Sequence, residues 1–493
     1  MTGLVTPRPN EDKRIMLTIA PGPLLLTPDA MRVAEAAEIA AGTPALVLME
    51  RAAAAAALAI RAFAPGRPAL VLCGPGNNGG DGYGVACLLR AAGVAVRVAA
   101  SGPPTAEPAA IMAARWTGAV EALADAKPEP LIIDALFGTG LARALPDSVQ
   151  MALDRLRAAG ATVAALDIAS GVNAMTGAAM GAPLPADMTV AFGGMKRGHV
   201  LGEGRWYSGR TVVADIGVRF PGAMPHIVGA PQLQGLASET HKYRRGAVLV
   251  VEGAAHRGGA ARLTALAALR AGCGVVTQTG PGDGAPADAI MRRSDAEGRA
   301  MLADARLSAI AIGPGLVDDQ RSRDWLAMVL AGATPVVADA GALSIRFGAI
   351  VPGTGAFEAF SCAKAPLVLT PHEGEFARLF GSVGLDRIGA AQAAAVASGA
   401  VIVLKGAETV IAAPDGRAAV NIHATPWLAT AGSGDALTGI VAALLAQGLT
   451  RFDAACAAVW LHGDAGIRGG PGMIADDIPV LLPVVLAGLR TTS

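Results

Sequence analysis

The stretch AGSGDALTGIVAALLAQGL, residues 431–449, decides how the second half of this chain folds. Its small residues let backbone N–H groups come close together ahead of an apolar helix, which we predict to begin at Asp435. The free N–H groups and the positive dipole end of such a helix bind an anion, typically a phosphate. The carboxylate of Asp435 would then lie beside the phosphate, where it can take a proton from an attacking hydroxyl.

Two loops upstream point to the same site. TPHEGEF (370–376) follows the apolar run PLVL, and KGAET (405–409) follows the apolar run VIVL. Ligands of parallel sheets bind where strands end, so these loops and residues 431–435 predict one nucleotide site. The structural alternatives are a strand-end surface lysine at Lys405 and simple helix caps at His372 and Asp435.

Length and composition limit the class of protein. A chain of 493 residues is too long for one ordinary core, so we expect two or more domains. Hydrophobic residues make up 53% and charged residues 16%, which argues against disorder. The formal net charge is zero and no basic block stands out, so no nucleic-acid partner is expected. No uninterrupted apolar stretch reaches the roughly 18 residues that a membrane span needs.

The cysteines and the N-terminus bear on location. An odd number of cysteines without a CxxC pair favours a reduced, cytoplasmic protein over a disulfide framework or a zinc site. The segment IMLTIAPGPLLL (15–26) faintly resembles a signal peptide, but prolines and a glycine interrupt it, so secretion is not expected. Apolar helices of low charge are compatible with a homo-oligomer. The cysteines are Cys73, Cys87, Cys273, Cys362 and Cys456.

Strand-like runs alternate with alanine-rich helices along the whole chain. Such alternation implies an α/β fold, with parallel sheets covered on both faces. The stretch 216–236 has weak periodicity and several prolines and glycines, so we divide the chain there into domains 1–225 and 226–493. The runs are 68–74, 94–100, 130–138, 162–171 and 188–194 in the first half, and 246–253, 273–279, 309–315, 334–341, 365–371 and 400–406 in the second.

The loop GPGNNGGDG (74–82) follows the first of these runs and opens a helix. Asn77, Asn78 and Asp81 supply amide and carboxylate oxygens, which suit a cation or contacts to ribose and phosphate. The structural alternative is a tight turn in which Asn and Asp act as local caps.

Two further strand ends carry polar groups. Asp134 precedes the turn Gly138-Thr139-Gly140, and the run TVAALDIASG supplies Asp167 and Ser170. We expect Asn78, Asp134 and Ser170 to hold one cation together, with Asp167 facing the ligand. Any one of these residues alone is explained as a cap, whereas their recurrence at three strand ends favours a site.

The first half resembles a known family through GPGNNGGDG, DALFGTGL, DIASG, MTVAFGGMKRGH and VADIGV, in this order. These motifs resemble the NAD(P)H-hydrate epimerase family over roughly residues 25–220. The resemblance implies a Rossmann-like three-layer αβα sandwich, a potassium ion on Asn78, Asp134 and Ser170, and Asp167 as acid and base. Family members usually have proline where this chain has Ala169. The implied substrate contacts are Asn77, Asn78, Gly79, Gly80, Asp81, Gly138, Thr139, Gly140, Leu141, Ala142, Arg143, Ala144 and Asp167.

The second half resembles another family through HKYRRGAVLVVEGAAHRGGAARLTALAALRAGCGVVT, then IGPG, LTPHEGE, LKGAET and LATAGSGD. These motifs are similar to the ADP-dependent NAD(P)H-hydrate dehydratase family over about residues 235–490, which implies a ribokinase-like αβα domain. The resemblance implies ADP as co-substrate, magnesium as helper and Asp435 as catalytic residue. It implies ADP contacts from Lys405, Gly406, Ala407, Glu408, Thr409 and Gly434, and hydrate contacts from Ala260, Gly315, His372 and Asp435.

The fused order resembles bacterial bifunctional NAD(P)H-hydrate repair enzymes. It implies that the first half epimerises the R and S hydrates of NADH and NADPH. The second half would dehydrate the S hydrate with ADP, giving AMP and phosphate and restoring the cofactor. Three positions depart from the family's wording: Gly341 replaces the second acid of DADAL, Val317 replaces a glycine, and Tyr243 replaces the glycine of HKG.

Two other functions remain open from the residues. A ribokinase-like small-molecule kinase with a regulatory nucleotide-binding first half would share the centre at residues 431–435, but it predicts a stable phosphorylated product. The motifs LTPHEGE and LKGAET favour the dehydratase. A non-catalytic scaffold role for the first half is the third function class. The sequence leaves open the choice between NADH and NADPH hydrates and between ADP and ATP.

Overall fold

The computed structural model describes residues 17–233, 239–282, 284–345 and 356–489. It divides into an N-terminal unit, Pro23–Pro225, and a C-terminal unit, Met1–Gly22 with His226–Ser493. The division after Pro225 falls inside the proline- and glycine-rich stretch 216–236. Residues 17–22 group with the C-terminal unit, which differs from a single cut at residue 225. The part of the signal-like segment before Leu17 lies outside the described residues, and the rest forms the first strand.

Each of the eleven predicted runs contains a strand, and the described residues form eight further strands outside those runs. The strands are β1 (Leu17–Leu26), β2 (Ala69–Cys73), β3 (Val96–Ala100), β4 (Val120–Ala122), β5 (Leu131–Ala135), β6 (Thr162–Leu166), β7 (Met188–Phe192), β8 (Met195–Lys196), β9 (Arg210–Ala214), β10 (His226–Leu233), β11 (Ala247–Val251), β12 (Val275–Thr279), β13 (Met291–Arg293), β14 (Ala309–Ile312), β15 (Val336–Ala338), β16 (Leu367–Leu369), β17 (Val401–Leu404), β18 (Thr409–Ala412) and β19 (Ala418–Asn421). The helices are α1 (Pro28–Ala40), α2 (Ala45–Phe63), α3 (Asn77–Ala91), α4 (Glu107–Ala114), α5 (Asp147–Arg157), α6 (Gly204–Tyr207), α7 (Gly258–Arg270), α8 (Asp295–Met301), α9 (Gln320–Ala331), α10 (Ala356–Ser361), α11 (Glu373–Phe380), α12 (Arg387–Ser398), α13 (Ser433–Ala446), α14 (Arg451–Gly469) and α15 (Asp477–Gly488).

The N-terminal unit is built on a seven-stranded parallel sheet in the order β4-β3-β2-β5-β6-β7-β9. Successive side chains of a strand point to opposite faces. Leu70 and Leu72 therefore pack in one buried cluster with α5, whereas Val71 and Cys73 pack in another with α2 and α3. The result is three layers, and the carboxyl ends of β2, β5 and β6 lie side by side at one edge.

The C-terminal unit has the strand order β13-β12-β11-β14-β15-β16-β17-β18-β19-β10-β1. Pairing is antiparallel on both sides of β18 and parallel along the series from β13 to β17. Helices α7, α13, α14 and α15 share one buried cluster with the sheet. Helix α13 packs closely on α7, since a Cβ at Gly439 would lie 2.1 Å from the carbonyl oxygen of Thr264. Both units are thus α/β, as predicted, with a parallel sheet in the N-terminal unit and a mainly parallel one, interrupted at β18, in the C-terminal unit.

Candidate active sites

In the N-terminal unit, residues predicted as a loop form the start of α3. The helix begins at Asn77 after an extended Gly76, so Asn77–Asp81 make up its first turn. Close packing accounts for the two glycines here. A Cβ at Gly79 would lie 1.9 Å from the carbonyl oxygen of Gly74, and one at Gly80 would lie 2.7 Å from Met49 Sδ. Their role in ligand binding stays a prediction.

Asn78, at this helix start, has a buried side-chain amide that could bind a ligand. It is only 8% exposed, and its side-chain oxygen and nitrogen have no hydrogen-bond partner among the described residues. A Cβ at Gly138 would lie 3.5 Å from Asn78 Cγ and 3.5 Å from Asp167 Oδ2. The structure therefore brings together the ends of β2, β5 and β6, and a buried amide without partners is a group that needs one.

Asp134 and Ser170 are both fully buried and bind each other. The Ser170 hydroxyl donates to Asp134 Oδ1 at 2.6 Å, and the Ser170 N–H donates to Asp134 Oδ2 at 2.8 Å. Burial raises the pKa of Asp134, and the hydrogen bonds from Ser170 oppose that shift. The Ser170 oxygen also accepts from the Phe137 N–H at 2.8 Å. With the amide of Asn78, these hard oxygens suit an alkali cation.

Asp167 occupies a strained turn that two neighbours hold in place. Its φ of 63° lies in the left-handed region, which a residue with a side chain rarely adopts. Lys196, whose side chain is fully buried, forms a short ion pair with Asp167 Oδ1 and donates to the Phe192 carbonyl at 2.8 Å. His199 Nδ1 accepts from the Lys196 N–H at 2.8 Å, so Nε2 carries the hydrogen that it donates to the Asp167 carbonyl at 2.8 Å. Burial lowers the pKa of His199 to about 4, which keeps the ring neutral.

Two more carboxyl groups belong to this cluster. Burial and the negative charge of Asp167 raise the pKa of both Asp81 and Glu35, while Lys196 opposes the shift. Glu35, Lys196 and His199 were absent from the predicted site. The lysine ends β8 and the histidine follows three residues later, both in the motif MKRGH, a signal that could have been used, whereas Glu35 on α1 carried none.

The remaining predicted positions of the N-terminal site lie in the segment after β5. Gly138, Thr139 and Leu141 are partly buried, and Gly140 is exposed together with Ala142, Arg143 and Ala144. Ala169, the departure from the family's proline, is fully buried in the cluster with α5. That departure therefore concerns packing.

In the C-terminal unit, α13 begins at Ser433, two residues before the predicted start at Asp435. The prediction was wrong because Gly432, with a φ of 89°, serves as a left-handed N-cap and lets Ser433 and Gly434 enter the helix. Ser433 Oγ lies 3.0 Å from the Nε2 of partly buried His462, and desolvation lowers the pKa of this histidine to about 4. His462 thus supports the helix start, and it was not predicted.

Asp435 lies in the first turn of α13. Burial raises its pKa to about 6; the nearby Asp339 adds to the rise and Lys405 opposes it. The Asp435 carbonyl accepts from Thr264 Oγ1 at 2.9 Å, and the same hydroxyl lies 3.0 Å from the carbonyl oxygen of Ala260. Ala260 on α7, a predicted hydrate contact, is therefore tied to the turn that carries Asp435.

The loops at residues 372, 405 and 434 do meet. His372 and Lys405 pair in an isolated parallel bridge, and a Cβ at Gly434 would lie 3.2 Å from Lys405 Nζ. Lys405 Nζ donates to Asp339 Oδ1 at 2.7 Å. The segment 405–409 is the turn between antiparallel strands β17 and β18, with Gly406 and Ala407 exposed and Glu408 and Thr409 less so.

His372 is a helix cap, as its structural alternative proposed. Its Nδ1 accepts from the N–H groups of Gly374 at 3.0 Å and Glu375 at 3.3 Å. The Glu375 carboxylate in return accepts from the His372 N–H at 2.9 Å, which completes a capping box. The His372 side chain remains 56% exposed, and its contact with the hydrate stays a prediction.

A cavity of about 510 Å³ lies beside these loops. Its volume is within the range of small-molecule pockets. It holds Gly315, a predicted hydrate contact, and two of the departures from the family pattern, Val317 and Gly341. A Cβ at Gly341 would lie 2.4 Å from the carbonyl oxygen of Leu316, so this backbone has no room for the family's second acid. The lining residues are Arg257, Gly315, Leu316, Val317, Asp318, Ala340, Gly341, Ser344 and Glu375.

Two negative findings concern the described residues alone. They contain no group of three or more His, Cys, Asp or Glu that could hold a metal ion. Nor does any helix within those ranges combine the length and apolar character needed to cross a membrane.

Comparison with known proteins matches both halves in order. Residues 45–198 match the family model described as YjeF-related protein N-terminus, and residues 248–470 match that described as NAD(P)H-hydrate dehydratase. The bifunctional NAD(P)H-hydrate repair enzyme Nnr of Moorella thermoacetica is 35% identical over 91% of this chain and 93% of its own length. The enzyme of the same name from Escherichia coli is 35% identical over 90% of each chain.

A solved structure also matches the C-terminal half. The ADP/ATP-dependent NAD(P)H-hydrate dehydratase from Bacillus subtilis, co-crystallised with ATP/Mg2+, is 30% identical and covers 52% of this chain and 95% of its own. Its TM-score of 0.45 is too low to carry a structural argument. The sequence identity to the full-length relatives carries the assignment, and by it the chain belongs to the family of bifunctional NAD(P)H-hydrate repair enzymes.

Proposed function

We propose that this chain repairs hydrated NADH and NADPH in two steps. The N-terminal unit interconverts the R and S hydrates, and the C-terminal unit dehydrates the S hydrate with ADP. The observation that carries the proposal is the surroundings of Asp435: a partly buried carboxyl with a pKa near 6, in the first turn of α13, close to Lys405. A base with a pKa near the working pH is suited to proton transfer at neutral pH.

In the dehydratase reaction, Asp435 takes the proton of the ring hydroxyl. The hydroxyl oxygen attacks the β-phosphorus of ADP, and the bond to the α-phosphate oxygen breaks, so that AMP leaves. Phosphate then departs from the ring carbon while the neighbouring carbon gives up a proton, which restores the double bond of NADH or NADPH. The first N–H groups of α13 and the ammonium of Lys405 stabilise the charge on the transferring group.

ADP binding is assigned to Lys405, Gly434 and the turn 406–409, and hydrate binding to Ala260, Gly315 and His372 with Asp435. Magnesium, when bound with the nucleotide, neutralises phosphate charge. We propose that it arrives with ADP, because the described residues hold no acidic cluster of the kind that binds a metal by itself. The cavity beside Gly341 would receive part of the hydrate.

In the epimerase reaction, the carbon–oxygen bond at the ring carbon breaks and re-forms on the opposite face. One group must protonate the departing hydroxyl, which leaves as water, and another must take a proton from the water that returns. Asp167 Oδ2 faces Gly138 and Asn78 while Lys196 binds Oδ1, so we assign the base role to Asp167. Asp81 and Glu35, whose raised pKa values favour the protonated form, supply the acid.

Potassium is proposed on Asn78, Asp134 and Ser170. Support comes from the buried amide oxygen of Asn78, which has no partner among the described residues, and from the carboxylate and hydroxyl oxygens of Asp134 and Ser170, which bind each other. Bound there, the ion would supply positive charge beside the substrate. The domains 1–225 and 226–493 and a cytoplasmic location belong to the same proposal; the location is supported by the fact that all five cysteines are free.

The test begins from a mixture of both hydrate epimers with ADP, magnesium and potassium, and it follows the absorbance of the reduced nicotinamide. The wild type should recover all the hydrate, and Asp435→Ala none. Asp167→Ala should recover the S epimer at the wild-type rate and then only as fast as the R epimer converts spontaneously. Asp415→Ala, at an exposed position of the same unit, is the matched control and should behave as wild type. A wild type without ADP-dependent recovery would refute the dehydratase.

A further inference from the structure

Asp339 has no place in either predicted contact set, yet it connects parts of the dehydratase site. It follows β15, is 1% exposed, and uses both carboxylate oxygens. Oδ1 accepts from Lys405 Nζ at 2.7 Å, and Oδ2 accepts from the Thr438 hydroxyl at 2.8 Å. Lys405 comes from the end of β17 and Thr438 from α13, so one buried carboxylate binds two separate elements.

The same carboxylate lies close to the start of α13. A Cβ at Gly434 would be 3.6 Å from Asp339 Oδ2 and 3.2 Å from Lys405 Nζ. The Thr438 hydroxyl is also only 3.1 Å from the Gly434 carbonyl oxygen, one turn earlier in the helix. The Lys405 ammonium and the Asp339 carboxylate therefore both lie close to Gly434 at the start of α13.

The charges around Asp435 show what this arrangement does. The charged groups that act on Asp435 are Asp339 and Lys405. Because Lys405 is bound to Asp339, its ammonium is kept from pairing directly with Asp435. A lysine released from Asp339 would be attracted to the carboxylate of Asp435, which would make that group a poorer base.

We infer that Asp339 is a positioning residue of the dehydratase, which fixes Lys405 against the first turn of α13 so that ammonium and helix N–H groups face one phosphate of the nucleotide. The inference rests on the proposed function for the identity of that nucleotide. It gives Thr438 a role as well, because its hydroxyl anchors the second oxygen of Asp339. Neither residue touches the substrate in this account.

The test compares Asp339→Asn and Thr438→Val with the wild type in the full-length chain. Calorimetric titration with ADP and magnesium measures nucleotide affinity without turnover. Asp339→Asn should weaken ADP binding roughly tenfold, and Thr438→Val roughly threefold. The acid limb of the kcat profile should move to lower pH by about half a unit or more in Asp339→Asn, since a negative neighbour of Asp435 is lost, and should stay in place in Thr438→Val.

A folded Asp339→Asn with wild-type ADP affinity and an unmoved acid limb would overturn the inference. If that variant does not fold, Thr438→Val decides: wild-type affinity in this variant refutes the link between Asp339 and α13. Wild-type protein that binds ADP without restoring the reduced cofactor would refute the proposed function, while the affinity comparison would still test Asp339. Wild-type protein that binds no nucleotide would overturn both.

Discussion

Replacing Asp435 by asparagine should inactivate the dehydratase and at the same time stabilise the C-terminal unit. The two side chains have nearly the same shape, so the change removes the charge and little packing. As the proton acceptor, the carboxylate is expected to contribute about 10²- to 10⁴-fold to the rate. As a partly buried charge beside Asp339, it costs the folded protein stability whenever it is ionised.

The size and pH range of that cost follow from the pKa. Burial raises the pKa of Asp435 from 3.8 to about 6, so the folded state binds a proton that the unfolded state has already lost. At about 1.4 kcal/mol per pH unit, ionising it in the folded state costs up to about 3 kcal/mol. The cost is absent below pH 4, grows as pH rises to 6, and is complete above that value. The stabilisation by Asp435→Asn should follow the same course.

Scanning calorimetry of the full-length chain at pH 5 and pH 8 measures this effect. A gain of about 2 kcal/mol raises the midpoint of a unit of this size by about 4–8 °C. We expect the full rise at pH 8 and about half of it at pH 5, and we expect it in one transition only. The rate of ADP-dependent cofactor recovery, measured on the same samples at pH 8, should fall at least a hundredfold.

Asp415→Asn is a control of opposite sign. Asp415 is exposed and bound to Arg417, which holds the pKa of this carboxyl below its usual range. Its removal should lower the midpoint slightly at pH 8 and leave recovery unchanged. If Asp435→Asn were no more stable than wild type at pH 8, or gained equally at pH 5, the carboxylate would not be the desolvated base that the mechanism needs.

Three further predictions concern the other features. Lys196→Met should slow interconversion of the hydrate epimers at least about a hundredfold because Asp167 loses its partner, and Lys196→Arg should keep part of the rate. Exchange NMR measures both rates. A wild-type rate in Lys196→Met would exclude the ion pair from catalysis. Replacing potassium with a bulky organic cation should slow epimerisation by wild type but not by Asn78→Ala, and equal sensitivity of both would move the ion elsewhere. Gly341→Asp restores the family's acid, and it should destabilise the protein by about 1–3 kcal/mol because Leu316 must move. It should not improve the KM for the hydrate. Unchanged stability in thermal unfolding would show that the backbone adapts.

Much of the architecture could be predicted from the sequence because a buried strand requires a continuous run of apolar residues. A strand covered on both faces must be apolar throughout, and for that reason all eleven predicted runs contain strands. The helix start at residues 431–435 was recognised for similar local reasons, but its first residue was misplaced by two. Glycine permits the left-handed φ of the N-cap at Gly432 but does not require it, so the sequence alone does not predict this conformation.

The side-chain partners could not be predicted, because they depend on strand order. Asp339 and Lys405 follow β15 and β17, which are not neighbours, since β16 lies between them. Their contact therefore requires the order of three strands to be known. Glu35 comes from a helix more than a hundred residues before Asp167. The strand β10 was hidden in the stretch taken as a linker, since prolines and glycines there resembled a loop.

The two sites use lysine in opposite ways, and the proposed chemistry explains the difference. In the N-terminal unit Lys196 pairs with Asp167 itself, and burial together with the charge of Asp167 raises the pKa of the other carboxyls, Asp81 and Glu35. Epimerisation must both give and take a proton, so separate groups for acid and base serve it. In the C-terminal unit Lys405 is bound to Asp339, and burial, with a smaller contribution from Asp339, raises the pKa of Asp435 to about 6. Activating one hydroxyl requires a single base, and a carboxylate held away from its neighbouring lysine keeps the proton affinity that this step needs.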